Sequence, residues 1–339
     1  MKFPTDTGPL ADYLRALGHD VDGGLTITAF TGGQSNPTYR LDLGSRSYVL
    51  RRKPDGVLLP SAHAIEREYR VINALASTEV PVPRVHVLCQ DATVIGTPFY
   101  LMDFVEGRMF WDPTLPGMEP SERAALYDEL NRVIAALHRV DVTTVGLSDF
   151  GRPGHYIARQ IERWTQQYRA SEAEPIDAME RLIEWLPAHV PSEDETALVH
   201  GDFRIDNVIF HPTEPRIIGV LDWELSTLGH PLADFAYHCM SWRVTPDEFR
   251  GMAGHDLGAL GIPLEAPYVQ AYCRRTGRES LPDWDYYLAF NMFRMSAILQ
   301  GILARARGGN AASERAEATG RLARPMAEAG WRQIAALTG

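Results

Sequence analysis

The sequence predicts an α+β chain of two lobes, a small five-stranded β lobe with one helix followed by a large, mainly helical lobe. Strand-like runs separated by polar turns crowd the segment up to Asp103, and helical periodicity dominates almost everything beyond it. A single hairpin pattern, rich in His, Asp and Asn, interrupts the helical part near residue 200. With 339 residues, 45% of them hydrophobic, the chain can bury one large or two medium cores.

The elements follow in order. A short helical opening around Leu10 to Leu17 precedes LTITAF, the turn TGGQSN, PTYRLDL, Gly44-Ser45 and RSYVLRRK, which read as a β-meander over residues 25–54. Residues 61–77 switch to helical period, with Ile65, Tyr69, Ile72 and Leu75 on one face and Ser61 placed as an N-cap. Two more strands, residues 84–90 and 98–103, complete the small lobe, and Asp103 to Gly107 reads as a connector. Helical stretches are expected at about 120–140, 154–170, 176–187, 264–277, 283–307 and 313–337. The resulting boundaries are 1–102 for the small lobe, 103–107 for a hinge and 108–339 for the helical lobe.

Composition excludes several classes. A net charge of −11 argues against nucleic acid or an anionic membrane as partner, since both demand a basic footprint. No apolar run reaches the ~18 residues of a membrane span, and MKFPTDTGPLADYL lacks a secretory pattern, so a cytoplasmic protein is expected. Cys89, Cys239 and Cys273 form no C-x-x-C pair and read as buried hydrophobes. From Arg274 onward ten arginines face six acids, a locally basic region in an acidic chain. Lys2 and Lys53 are the only lysines, which makes Lys53 conspicuous.

Residues 198–222 read LVHGDFRIDNVIFHPTEPRIIGVLD. Asp202 and Asn207 can share one loop, the Asp facing a hydroxyl and the Asn amide oxygen a metal ion. Two apolar runs around the Pro-containing turn 211–216 then form a hairpin that returns Asp222 toward the Asn207 end. Two oxygen ligands suit Mg²⁺, a hard cation that leaves room for phosphate.

This run resembles the catalytic loop H-G-D-x-x-x-x-N of the kinase-like aminoglycoside phosphotransferase and choline kinase superfamily, and the resemblance extends over nearly the whole chain from about Phe30. It implies a bilobal protein-kinase-like fold, ATP as phosphoryl donor and a small-molecule hydroxyl acceptor. Asp202 would accept or orient the acceptor's proton, Asn207 and Asp222 would hold Mg²⁺, and His200 would be structural. Asp234, in LADFAYH, would open the next helix and brace the loop. Gly33, Ser35 and Asn36, in the first turn, would contact the phosphates through backbone and side chain. Period 2 sets Val49, Arg51 and Lys53 on one strand face, and either Arg51 or Lys53 would meet the phosphates, held by Glu68 on the inward helix face. The main chain of Asp103 and Val105 would bond the adenine edge. Arg204 and Asp206 are noted beside the loop without an assigned role.

After Asp222 the chain has no Phe-Gly and no A-P-E, and only eleven residues precede Asp234. A long phosphorylatable activation loop cannot fit, which points to a constitutively assembled small-molecule kinase. Runs such as FTGGQSNPTYRL, LDWELSTLGHPLADFAYH and FRMSAILQGILARARGGNA resemble the phosphotransferases akin to the kinase-like part of acyl-CoA dehydrogenase family members ten and eleven. That branch implies a hydroxyacyl-CoA acceptor, and the basic C-terminal region, with Arg294 in an apolar helix, is expected to meet CoA phosphates. An aminoglycoside or amino-alcohol acceptor is the alternative. A metal-dependent phosphoesterase built on His200, Asp202, His211, His230 and His238 is an alternative of another class, although its upstream D-x-H and G-N-H contexts are missing.

Overall fold

The computed structural model describes residues 3–30, 36–54, 64–172, 174–308 and 316–335. These form two compact units, one of residues 1–108 with 208–226 and one of residues 109–207 with 227–339.

In the first unit, strands β1 (Leu25–Ala29), β2 (Thr38–Leu43), β3 (Arg46–Arg52), β4 (Val85–Cys89) and β5 (Phe99–Asp103) make an antiparallel sheet in the order β1-β2-β3-β5-β4. The five strands and their alternation are as expected. Tyr48 and Leu50 turn to a face covered by helix α1 (Gly8–Ala16), where Leu10 and Leu14 join Leu41, Phe99 and Leu101 in one core. Val49 and Arg51 turn to the opposite face, with their cross-strand partners Met102 and Tyr100. Helix α2 (Ile65–Leu75) buries Ile65, Glu68, Val71, Ile72 and Leu75. Its N-cap is Ala64, whereas the expected cap, Ser61, lies outside the described residues.

The hairpin β7 (Val208–Phe210) and β8 (Ile217–Val220) belongs to this same unit, although helical sequence flanks it. Its bonds explain the grouping. Arg108 and Phe210 exchange main-chain hydrogen bonds, and the Val220 N–H donates to Pro81. At Gly107 a Cβ would stand 2.3 Å from the Phe210 carbonyl, so only glycine permits that approach.

The second unit is helical. Helices α3 (Pro120–His138), α4 (Tyr156–Ser171), α5 (Asp177–Ala188), α9 (Glu265–Thr276) and α10 (Trp284–Arg307) fall where periodicity placed them. The expected helix over 313–337 is two, α11 (Ala316–Gly320) and α12 (Ala323–Ala335). Gly320 packs on the Leu303 backbone there, leaving no room for a side chain. A two-stranded ladder of β6 (Ala197–Val199) and β9 (Thr227–Gly229), the buried helix α6 (Pro231–Cys239) and the single-turn helices α7 (Pro246–Phe249) and α8 (Leu257–Leu260) complete it. Helix α10 is buried almost all round and contacts α4, α5, α6, α11 and α12, which makes it the axis of the unit. No helix among the described residues is long and apolar enough to cross a membrane.

His238 on α6 lies among the rings of Phe203, Trp242 and Tyr268, and its Nε2 pairs with the Tyr268 hydroxyl at 2.7 Å. Burial lowers its pKa from the ordinary 6.5 to about 4. A depressed pKa means that the unfolded chain takes up a proton first as pH falls. His238 therefore contributes stability that is present above pH 6.5 and lost as pH falls toward 4. Urea unfolding between pH 7 and 4.5 should show a smaller acid loss in His238→Gln than in the native chain; parallel curves would refute this.

Candidate active site

The expected residues fall into two clusters, one in each unit. In the first, period 2 on β3 points Arg51 at Glu68, and its Nε lies 2.8 Å from Glu68 Oε2. Glu68, 2% exposed, also accepts hydrogen bonds from Asn36 Nδ2 at 2.7 Å and the Tyr100 hydroxyl at 3.1 Å. The carboxylate thus has one cationic partner and two hydrogen-bond donors, which is what a buried charge requires. Arg51 Nη2 lies 3.4 Å from Asp222 Oδ1 and 3.6 Å from Glu224 Oε2. Burial works against the guanidinium charge, but Glu68, Tyr100, Asp222 and Glu224 more than offset it, so the Arg51 pKa stands above its ordinary value.

Asp222 follows β8 at φ +64°, a left-handed conformation that costs a non-glycine residue about 1 kcal/mol or more and gathers at functional sites. A 3₁₀ turn at Trp223–Leu225 follows, anchored by the Trp223 indole donating to the Val220 carbonyl.

Lys53, the other phosphate candidate, pairs instead with Glu66 at 2.5 Å. The Asp103 N–H donates to Arg84, and its carboxylate meets His86 at 2.6 Å; Phe104 bonds back to Ser47, leaving half-buried Val105 as the first residue past the sheet. Gly33 and Ser35 lie outside the described residues.

In the second unit, β6 leads into the loop of His200, Asp202 and Asn207. The N–H groups of His200 and Gly201 each donate to Asp234 at 2.8 Å, one to each carboxylate oxygen. His138 Nε2 adds a third contact at 3.1 Å. Burial would raise the Asp234 pKa, but His138 and His200 hold it below the ordinary carboxylate value. Gly201 turns at φ +84°, and His200, fully buried, accepts the Asp202 N–H on Nδ1. Asp234 thus bonds the main chain at His200 and Gly201, and the His200 ring bonds the Asp202 main chain.

Asp202 is held at both oxygens. Asn207 Nδ2 donates to Oδ2 at 2.9 Å and to the Asp202 carbonyl at 2.8 Å, and the Tyr237 hydroxyl donates to Oδ1. Because both bonds use Nδ2, the Asn207 amide oxygen is the atom it has to offer a cation. Arg204 Nε lies 3.2 Å from Asp202 Oδ1. Its Nη2 lies 3.3 Å from Asp206, which also binds Arg250 at 2.7 Å. Beside the loop a small cleft has walls that include Trp111, Ile205, Tyr237, Met240, Phe249 and Arg250.

Two residues were not singled out for the loop. Tyr237 stands three positions after Asp234, one helical turn along the same face, and that spacing was the available signal. Arg294 was expected at CoA phosphates. It is instead 6% exposed, donates to the Gly201 carbonyl at 2.6 Å and lies 5.0 Å from the Tyr237 ring centre. Other arginines of the basic region pair internally, Arg278 with Glu195, Arg321 with Glu317 and Arg332 with Glu248. Arg278 and Arg332 are therefore answered by acids earlier in the chain, and Arg321 by one within the region.

The histidines of the phosphoesterase alternative are dispersed. His211 caps its own turn, His230 meets Tyr287, and His238 meets Tyr268. Among the described residues no three His, Cys, Asp or Glu gather as a metal cluster.

Residues 26–287 match the profile of a phosphotransferase enzyme family. The chain is 49% identical over 335 residues to acyl-CoA dehydrogenase family member 10 of Mus musculus, covering 98% of this chain and 31% of that protein. It is 44% identical over 326 residues to family member 11 of Rattus norvegicus, covering 95% and 42%. The chain thus spans well under half the length of these relatives. A crystal structure described as a putative aminoglycoside phosphotransferase from Ralstonia eutropha JMP134 superposes with a TM-score of 0.89 at 54% identity, covering 99% of both chains.

Replacing Asp234 by Asn would set an amide N–H against a main-chain N–H and remove the charge that answers His138. The expected loss is about 3 kcal/mol of stability, read as a lower urea midpoint in Asp234→Asn; an unchanged midpoint would show that the loop is braced elsewhere.

Proposed function

The chain belongs to the phosphotransferase enzyme family, and we propose that it transfers the γ-phosphoryl group of ATP to a hydroxyl of a small acceptor, with Asp202 as the proton-accepting group. The observation that carries this reading is the carboxylate of Asp202, fixed by Asn207 and by Tyr237, which also lines the neighbouring cleft. In the step, the acceptor oxygen forms a bond to phosphorus, the bond from phosphorus to the ADP oxygen breaks, and the hydroxyl proton goes to Asp202. Phosphoryl transfer leaves a protein mainly positioning and charge neutralisation to supply.

The remaining roles follow by residue. Arg51, locked by Glu68, is charged and fork-shaped, and suits a phosphate oxygen. Lys53 is committed to Glu66, which favours Arg51 as the phosphate contact. Gly33 and Ser35 would cover the phosphates, whereas the buried Asn36 side chain, expected there too, is committed to Glu68, and the main chain of Asp103 and Val105 would bond the base. The Asn207 amide oxygen and the Asp222 carboxylate fit Mg²⁺, which takes few protein oxygens and completes its shell with phosphate and water. When bound, that ion would neutralise phosphate charge during transfer.

For the acceptor we favour a hydroxyacyl-CoA. The cleft beside Asp202 is walled by Trp111, Ile205, Met240 and Phe249, which suits an apolar chain bearing a hydroxyl. Asp206 in its wall is already answered by Arg204 and Arg250, so a polycation finds no uncommitted carboxylate there. The relatives named as acyl-CoA dehydrogenase family members support the same class. The name of the Ralstonia structure favours an aminoglycoside as the second reading.

ADP release from Mg-ATP should be measured across hydroxyacyl-CoAs, aminoglycosides, choline and sugars. Turnover confined to hydroxyacyl-CoAs is expected, and turnover confined to an aminoglycoside would replace that acceptor by the second reading. Asp202→Asn should lower transfer by about 10³-fold or more while leaving Mg-ATP affinity within about two-fold. Wild-type turnover in that variant would reject Asp202 as the base.

A further inference from the structure

We propose that Tyr237 is a positioning residue, its buried hydroxyl fixing the plane of the Asp202 carboxylate, with Arg294 tying the tyrosine ring to the loop backbone. The assignment rests on the phosphoryl-transfer reading and deepens it. A carboxylate held at one oxygen can still rotate about its last torsion. Here Asn207 holds Oδ2 and Tyr237 holds Oδ1, so the plane is set from two sides. A carboxylate oxygen has two acceptor sites, and the Tyr237 hydroxyl uses one of those on Oδ1. Arg204 Nε stands 3.2 Å from the same oxygen, and the cleft wall includes both Tyr237 and Arg204.

The ring itself is fixed. Tyr237 is 3% exposed on a helix buried along its whole length. Arg294 places its guanidinium 5.0 Å from that ring centre and 5.6 Å from the Trp164 ring, while donating to the carbonyl of Gly201, one residue before Asp202. One arginine therefore links the backbone that carries the base to the side chain that aims it. Burial, and then the Asp202 charge, push the phenol pKa far above its ordinary value, so the hydroxyl keeps its proton and stays a donor at neutral pH.

Phe at position 237 would fill the same space, keep the Arg294 contact and remove only the donor. The test uses the full chain, with 4-hydroxypentanoyl-CoA as acceptor and water as acceptor in its absence. Tyr237→Phe should lower kcat for the CoA ester by about 10- to 100-fold with KM for ATP within about two-fold, since misplacing a reacting group costs rate more than binding. The share of ADP released without phosphorylated product should rise. In an Asp202→Asn background the same change should alter the residual rate by less than about two-fold, because the tyrosine acts through Asp202. Tyr237→His, which keeps a ring N–H donor, should recover part of kcat, and it carries the same comparison should the Phe variant fail to bind Mg-ATP. Unchanged kcat and product yield in Tyr237→Phe would overturn the proposal, as would a full loss persisting on top of Asp202→Asn. Failure of the native chain to phosphorylate any acceptor would instead count against the kinase reading.

Discussion

The carboxylate of Asp234 accepts the main-chain N–H groups of His200 and Gly201 while His138 closes its third side, and the shape of the catalytic loop follows from that contact. Two adjacent N–H groups aimed at one carboxylate fix the peptide planes on either side of His200. Gly201 then turns in the left-handed region, and Asp202 follows it half-buried. Asp234 is itself fixed, because α6 starts at Pro231 behind a His230 cap and buries all nine residues. One helix therefore supplies both the brace of the loop, through Asp234, and the hydroxyl bonded to the Asp202 carboxylate, through Tyr237.

Buried charge is organised on the same principle in the first unit. Arg51 and Glu68 are nearly out of water, where an unpaired charge would cost several kcal/mol, and each is satisfied before any ligand arrives. Such a pair contributes geometry more than stability. The guanidinium is held in one orientation, beside Asp222 and Glu224, whose negative charge a bound cation can share.

The parts legible in the sequence are those that local period controls. Alternation on β3 set Arg51 apart from Arg52, and helical period set Glu68 inward while leaving Glu66 at the rim, where it pairs with Lys53. The spacing of His200, Asp202 and Asn207 is likewise local. Tyr237 was not legible in the same way, because an aromatic residue in an apolar helix reads as core, and only the loop 35 residues earlier reveals its donor role. Arg294 was misread for the opposite reason. A basic residue in an apolar helix announces that it has a partner, but only the fold shows that the partner is a buried carbonyl rather than a ligand phosphate. The grouping of the hairpin with the β unit also depends on contacts distant in sequence, above all Gly107 against Phe210.

The segment from Asp222 to Asp234 shows how little of this site is free to be rearranged. Its eleven intervening residues are taken up by the turn Trp223–Leu225, the strand β9 paired with β6, and the first turn of α6. Ser226 and Trp223 are buried, and Leu228 packs in the core. A phosphorylation switch works by ordering a segment that is otherwise loose, through new bonds from arginine to phosphate. Here the corresponding stretch is spent on secondary structure and burial, and the brace at its far end, Asp234, is bonded to the loop already. The loop at His200 and Gly201 is therefore assembled by the fold itself, with no added group needed to order it.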